Sequence, residues 1–252
     1  MTDTPVLTRP PPALLAIIRY SLRLTAGNRR WRWMVLAAVG AVLFGLLATA
    51  LSGSAAASLA EVARPGLFAL VLPITCLVMG DAVLGSELRS GSFTFTWLSP
   101  VSPWQITVGR WFSASLIAGA TLGPAFALAA IVAGAPTQAG AIALAGVTGA
   151  AAYIAVFIAI GCFTRRAAAW SLGFVFLTER LVGGALSAVA QWSPSWVADA
   201  VFVGLTNDVA NHARSGIPQG WGAVVRLILI TVVALGMATR RLRYLRFGGA
   251  SD

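Results

Sequence analysis

The sequence predicts an all-α membrane protein: six transmembrane helices, an N-terminal amphipathic elbow helix and short external re-entrant helices after the fifth span. Three observations predict it. Six apolar runs, at 33–51, 66–84, 111–133, 141–163, 169–190 and 221–239, each approach the ~20 residues that cross a hydrocarbon core. The composition, 58% hydrophobic and 10% charged with a mean hydropathy of +0.83, exceeds the apolar share of a soluble domain, ~45–50%. All 18 basic residues are arginine, and fourteen of them occupy one set of alternate gaps between the runs: Arg9, Arg19, Arg23, Arg29, Arg30, Arg32, Arg89, Arg110, Arg165, Arg166, Arg240, Arg241, Arg243 and Arg246. Arg64, Arg214 and Arg226 fall on the other side. Positive residues beside span ends stay cytoplasmic, so a multi-pass protein of the inner (cytoplasmic) membrane with both termini inside is expected.

Residues 1–12, with Pro5, Pro10, Pro11 and Pro12, read as a disordered cytoplasmic tail, and 13–252 as a single transmembrane domain. Prolines ahead of any apolar run do not resemble a secretory leader, so the first span is expected to remain in the mature chain. Over 13–25, Leu14, Leu15, Ile17, Ile18 and Leu22 share a helical face, and Arg19 and Arg23 share another. That pattern describes a basic helix along the inner leaflet, either an anchor or an elbow that carries force into the first span.

The first external loop, 52–65, is rich in small residues and carries little information. The internal loop over 85–107 is more distinctive: 87–97 fits a short helix that Pro100 and Pro103 would end. The loops 135–140 and 164–168 are too short for anything but hairpins between antiparallel neighbours. The stretch 191–220 mixes Trp196, Val197, Ala200, Val201, Val203 and Leu205 with Asp199 and Asp208. It is too polar to span and too apolar to be a free loop, which predicts one or two short helices dipping into the outer leaflet. Arginines after 239 close the last span, and eight of the nine tryptophans lie near predicted span ends, where amphipathic indoles prefer the headgroup level.

A net charge of +10 and a pI near 11.5 would point to nucleic acid in a soluble protein. Here the arginines flank apolar spans on one face, so anionic lipid is the expected partner and nucleic acid is not. Cys76 and Cys162 fall inside predicted spans without CxxC spacing and read as packing residues. The single histidine, His212, has no second His or Cys near it and reads as a loop residue rather than a metal ligand. No metal site is expected, and the external acids Glu61, Asp199 and Asp208 are scattered. A phosphate-binding P-loop needs a lysine that this chain lacks, so any ATP-driven activity requires a separate ATPase chain.

Between the second and third runs stand Glu87, Gly91-Ser92, Ser99-Pro100-Val101-Ser102 and Gly109-Arg110. In these residues and in its topology the chain resembles the permease subunits of the ABC-2 class of ABC transporters. One departure is Pro103, where many relatives carry a basic residue. The resemblance implies a transport subunit without its own ATPase site. It also implies two copies of an ABC ATPase docked beneath the internal loop, with ATP and magnesium held there, and a second permease, identical or related, alongside. The implied activity is export of a hydrophobic or amphipathic cargo such as a drug, lipid or peptide. Glu87, Leu88, Arg89, Gly91, Phe93 and Phe95 are then the candidate coupling residues: apolar anchors fill a groove and charges set the register. An ordinary interfacial loop is the plainer reading.

Glu179 and Arg180 fall within the fifth run, where each charge costs ~2.5–3.5 kcal/mol at the bilayer centre. Adjacent helix positions point ~100° apart, so their partners must lie elsewhere, either in an intramembrane polar clamp or along a translocation path. Gly119, Gly123, Gly183 and Gly184 are candidate helix-packing positions. The competing function classes are a membrane-embedded enzyme, which would need a clustered acid, base or metal set, and a non-transporting structural subunit.

Overall fold

The structure is a computed structural model that describes residues 13–26, 31–51, 54–80, 101–164, 166–182 and 185–244, and among them it is all-helical. Four helices are long and apolar enough to cross a membrane: Ala55–Gly80, Pro103–Val132, Pro136–Phe163 and Trp221–Arg243. These mark the chain as a membrane-embedded helical protein. In chain order the elements are α1 (Ala13–Ala26), α2 (Trp31–Thr49), α3 (Ala55–Gly80), α4 (Pro103–Val132), α5 (Ala139–Phe163), α6 (Ala167–Gly173), α7 (Ser187–Ala190), α8 (Pro194–Leu205) and α9 (Trp221–Arg243).

The distribution of side-chain size follows from lipid as solvent. Alanine dominates the interior, with Ala41, Ala118, Ala129, Ala145, Ala150 and Ala198 all buried, while Leu43, Leu181, Val225 and Ile228 face outward. Hydrocarbon is as apolar as leucine, so large apolar side chains gain little by turning inward, whereas small ones let backbones approach and gain dispersion contacts. The central helix is α5, against which α3, α4, α8 and α9 pack. Phe68 of α3 joins three of these layers: its ring lies 5.8 Å from Phe126 of α4, edge-on, and 6.2 Å from Phe202 of α8. Several threonine hydroxyls inside the bundle are satisfied by their own helices. Thr75, Thr121, Thr148 and Thr231 each donate to the carbonyl four residues back, as a group without water must.

Helix ends explain the boundaries. Pro103 occupies the first turn of α4, where its missing N–H costs nothing, and the Gln105 Oε1 accepts from the Ser102 N–H at 3.2 Å. At the far end Gly134 takes φ +80°, the Ala135 N–H donates to Ala130 O at 2.9 Å and the Gly134 N–H to Ile131 O at 3.0 Å. This pair of hydrogen bonds is the glycine-terminated helix stop that turns the chain into a short 3-10 segment, Pro136–Gln138, and then α5.

Several boundaries differ from the sequence reading. The stretch read as an external loop, 52–65, is helical from Ala55, so α3 contains Glu61 and Arg64. Its middle, Ala63–Val71, is π-helical. A proline ring clashes with the carbonyl four residues back in a regular helix, and the wider turn around Pro65 removes that clash. Helix α4 begins ahead of the predicted run, so Trp111 lies two turns inside it, its Nε1–H donating to Ala151 O at 2.8 Å. The run 169–190 is divided into α6, a π-helix over Phe174–Val182, and α7. Helix α1 is present and lies against α4: the Ser113 hydroxyl donates to Ile18 O at 3.2 Å. Of the five apolar residues read as one face of α1, Leu15 points outward. The 191–220 stretch contains α8 and a 3-10 helix, Asn207–His212. Gly204 of α8 lies backbone to backbone against Gly220, whose N–H donates to Ala200 O at 3.0 Å.

Candidate functional site

One polar constellation among the described residues is concealed by sequence spacing. Arg64, in the π-helical part of α3, meets Asp199 of α8, 135 positions later. The Arg64 Nε–H donates to Asp199 Oδ2 at 2.8 Å, and its Nη2 donates to the His212 carbonyl. The Arg64 guanidinium also lies 5.7 Å from the Trp196 ring, and that of Arg214 lies 4.3 Å from the same ring. One turn of α8 therefore presents an indole to two cations and a carboxylate to one of them. Close by in sequence, the Arg226 guanidinium lies 5.0 Å from the Trp192 ring.

The constellation forms because α8 is an apolar helix with one acid in it. Val197, Ala198, Ala200 and Val201 are buried on several sides, which carries Asp199 inward with them. Its side chain is 6% exposed, against 32% for Arg64. Burial raises the Asp199 carboxyl above the ordinary carboxylate value, and the Arg64 guanidinium opposes this through charge and hydrogen bonding. The chemistry available here is electrostatic fastening of α3 to α8 and to the segment after it. The Ser193 and Ser195 hydroxyls, both buried, pair at 3.0 Å at the start of the same helix. Among the described residues no three His, Cys, Asp or Glu side chains gather.

The positions singled out by sequence are placed as follows. Glu87, Leu88, Arg89, Gly91, Phe93 and Phe95 lie outside the described residues, as do Gly183 and Gly184. Glu179 and Arg180 belong to the π-helical stretch Phe174–Val182, and their side chains are outside the described set. Gly119 and Gly123 of α4 both face Val147 of α5: a Cβ would lie 3.3 Å from Val147 Cγ1 at the first and 3.0 Å from Cγ2 at the second. The end of the resembling segment is described. A Cβ on Gly109 would lie 2.9 Å from Ile17 Cγ2, so α1 and α4 touch across this glycine, and the adjoining Arg110 is buried.

Sequence reasoning missed the Arg64–Asp199 pair because it assigned Arg64 to an external loop and read Asp199, in a stretch of short re-entrant helices, as one of three scattered external acids. The available signal was the apolar periodicity around Asp199: an acid at a helix position flanked by buried neighbours requires a cation from elsewhere. No protein-family model and no curated protein sequence matches the chain.

Proposed function

We propose that the chain is the membrane-spanning permease subunit of an ATP-driven exporter, working with a separate ATPase dimer and a second permease to move a hydrophobic or amphipathic cargo. In this reading α2 and the α6–π segment complete six crossings, both termini lie at the arginine-rich cytoplasmic face, α1 is an elbow helix on the inner leaflet, and α8 is an external re-entrant helix. With 19 residues, α2 is about 28 Å long at 1.5 Å per residue, close to the ~30 Å hydrocarbon thickness.

The observation that carries the reading is the segment from Glu87 to Arg110, whose residues resemble the cytoplasmic coupling segment of ABC-2 permeases and which runs directly into the start of α4. The tight contact of Gly109 with Ile17 supports a mechanical role. Displacement of the segment by an ATPase closing on ATP and magnesium would push α4, and α1 would move with it. The lysine-free sequence accords with this division of labour, because the chain has no P-loop of its own.

The test is reconstitution. Glu87→Ala and Phe93→Ala are expected to leave ATP turnover by the assembled complex intact while transport falls. Unaltered transport in both variants would remove the docking assignment. Co-purification of an ABC ATPase with vanadate-sensitive activity supports the reading, and full activity of the isolated chain would place it instead among membrane-embedded enzymes.

A further inference from the structure

At the end of the bundle opposite the Arg64–Asp199 pair lies an open apolar groove of ≈ 740 Å³ between α5, the α6–π segment and α9. Phe163, Trp170, Phe174, Leu177 and Met237 form its walls, and the small residues Ala159, Gly173 and Ala234 make the space. Its volume is within the ~300–1,000 Å³ of small-molecule sites. The rim is basic. The Arg241 guanidinium lies 5.6 Å from the Phe163 ring centroid, and Arg166, Arg240 and Arg243 are exposed at the same helix ends. The Thr164 hydroxyl, on the groove wall, accepts from the Arg166 N–H at 3.2 Å, which holds the turn between α5 and α6 against this rim.

We propose that this groove is a binding site for one anionic phospholipid, with an acyl chain between α5, the α6–π segment and α9 and the phosphate on Arg241. An acyl chain already in a bilayer gains little hydrophobic free energy by entering an apolar groove, because one hydrocarbon environment replaces another. Selectivity therefore comes from the rim. An arginine planted over an aromatic wall at headgroup level offers a planar donor fork that matches phosphate oxygens, and a zwitterionic lipid cancels part of that attraction with its own cation. The inference requires only that the chain is membrane-embedded, so it survives or fails independently of the transport reading.

The experiment is native mass spectrometry of the full chain, purified in mild detergent and exposed to equal amounts of phosphatidylglycerol and phosphatidylcholine with matched oleoyl chains. Wild type is expected to retain one phosphatidylglycerol with at least about fivefold preference. Arg241→Gln is expected to lower that preference about fivefold, the equivalent of ~1 kcal/mol for one arginine near the headgroups, while total bound lipid persists. Gly173→Leu places a side chain where a Cβ meets nothing within 4 Å, so it is expected to fold normally and to lower retention of both lipids. Brominated phosphatidylglycerol should also quench the part of the fluorescence that disappears in Trp170→Phe. Equal retention of both lipids by wild type, an unchanged preference in Arg241→Gln, unchanged occupancy in Gly173→Leu, or no quenching of Trp170 would overturn the proposal in favour of ordinary annular lipid.

Discussion

Removing Arg64 tests the energetic asymmetry of its pair with Asp199. The carboxylate is 6% exposed and the guanidinium 32%, so the two truncations are not equivalent. Arg64→Ala deletes a 2.8 Å charged hydrogen bond and strands an acid that has little access to water; breaking a fully buried pair in this way costs ~3–5 kcal/mol. The partial exposure of Arg64 reduces this, and we expect ~2–3 kcal/mol. Asp199→Asn leaves a guanidinium that can turn towards water, with an expected cost of ~1 kcal/mol. Replacing both together, Arg64→Met with Asp199→Leu, should recover most of the loss, because two apolar side chains leave no unpaired charge.

The assay is unfolding in mixed detergent micelles followed by tryptophan fluorescence, with Arg64→Ala, Asp199→Asn and their combination forming a double-mutant cycle. Its pH dependence follows from the sign of the shift. Without Arg64 the folded-state carboxyl rises further, since burial remains and the opposing charge is gone. A group whose folded value is raised contributes most below its unfolded value and loses that contribution as pH increases, so the Arg64→Ala deficit should be small near about pH 4 and grow towards neutrality. Equal costs for the two single variants, a coupling energy of zero, or a deficit independent of pH would each refute the reasoning.

Three further outcomes are expected. Gly204→Ala drives a methyl into the backbone of Gly220 and should cost ~1–3 kcal/mol or more, whereas Gly236→Ala in α9 meets nothing within 4 Å and should stabilise by ~0.5–1 kcal/mol; the same unfolding assay reads both, and equal effects would contradict the packing. Trp111→Phe removes the bond to Ala151 O and should cost ~1 kcal/mol, measured as a lowered unfolding midpoint. In a background lacking Cys76 and Cys162, Thr137→Cys should react with an impermeant maleimide on intact cells, and Tyr244→Cys only after permeabilisation. Reversed labelling would overturn the proposed orientation.

The helical class and the positions of most apolar segments were readable because an uninterrupted run of apolar residues has few alternatives in lipid. Boundaries were harder wherever a charge is buried. Arg64-Pro65 reads as a polar break, yet the arginine is neutralised from a distant helix and the proline is absorbed by a π turn, so α3 continues through both. Arg110 reads as a flank for a similar reason and is buried two turns into α4. Conversely, the run 169–190 is apolar enough to look continuous, but its backbone changes from α to π at Phe174. Nothing in its hydropathy marks that change. Pairings such as Trp196 between two arginines depend on how α8 folds back on α3, which no local pattern encodes.

The contact of Gly204 with Gly220 has a mechanical consequence. Two main chains meeting without side chains between them have no rotamers through which strain can dissipate, and the Ala200–Gly220 bond locks the joint further. Helix α8 and the entry to α9 must therefore swing as one lever. A rearrangement that opens the bundle at this end has to carry both pieces together, along with the 3-10 stretch Asn207–His212 that joins them.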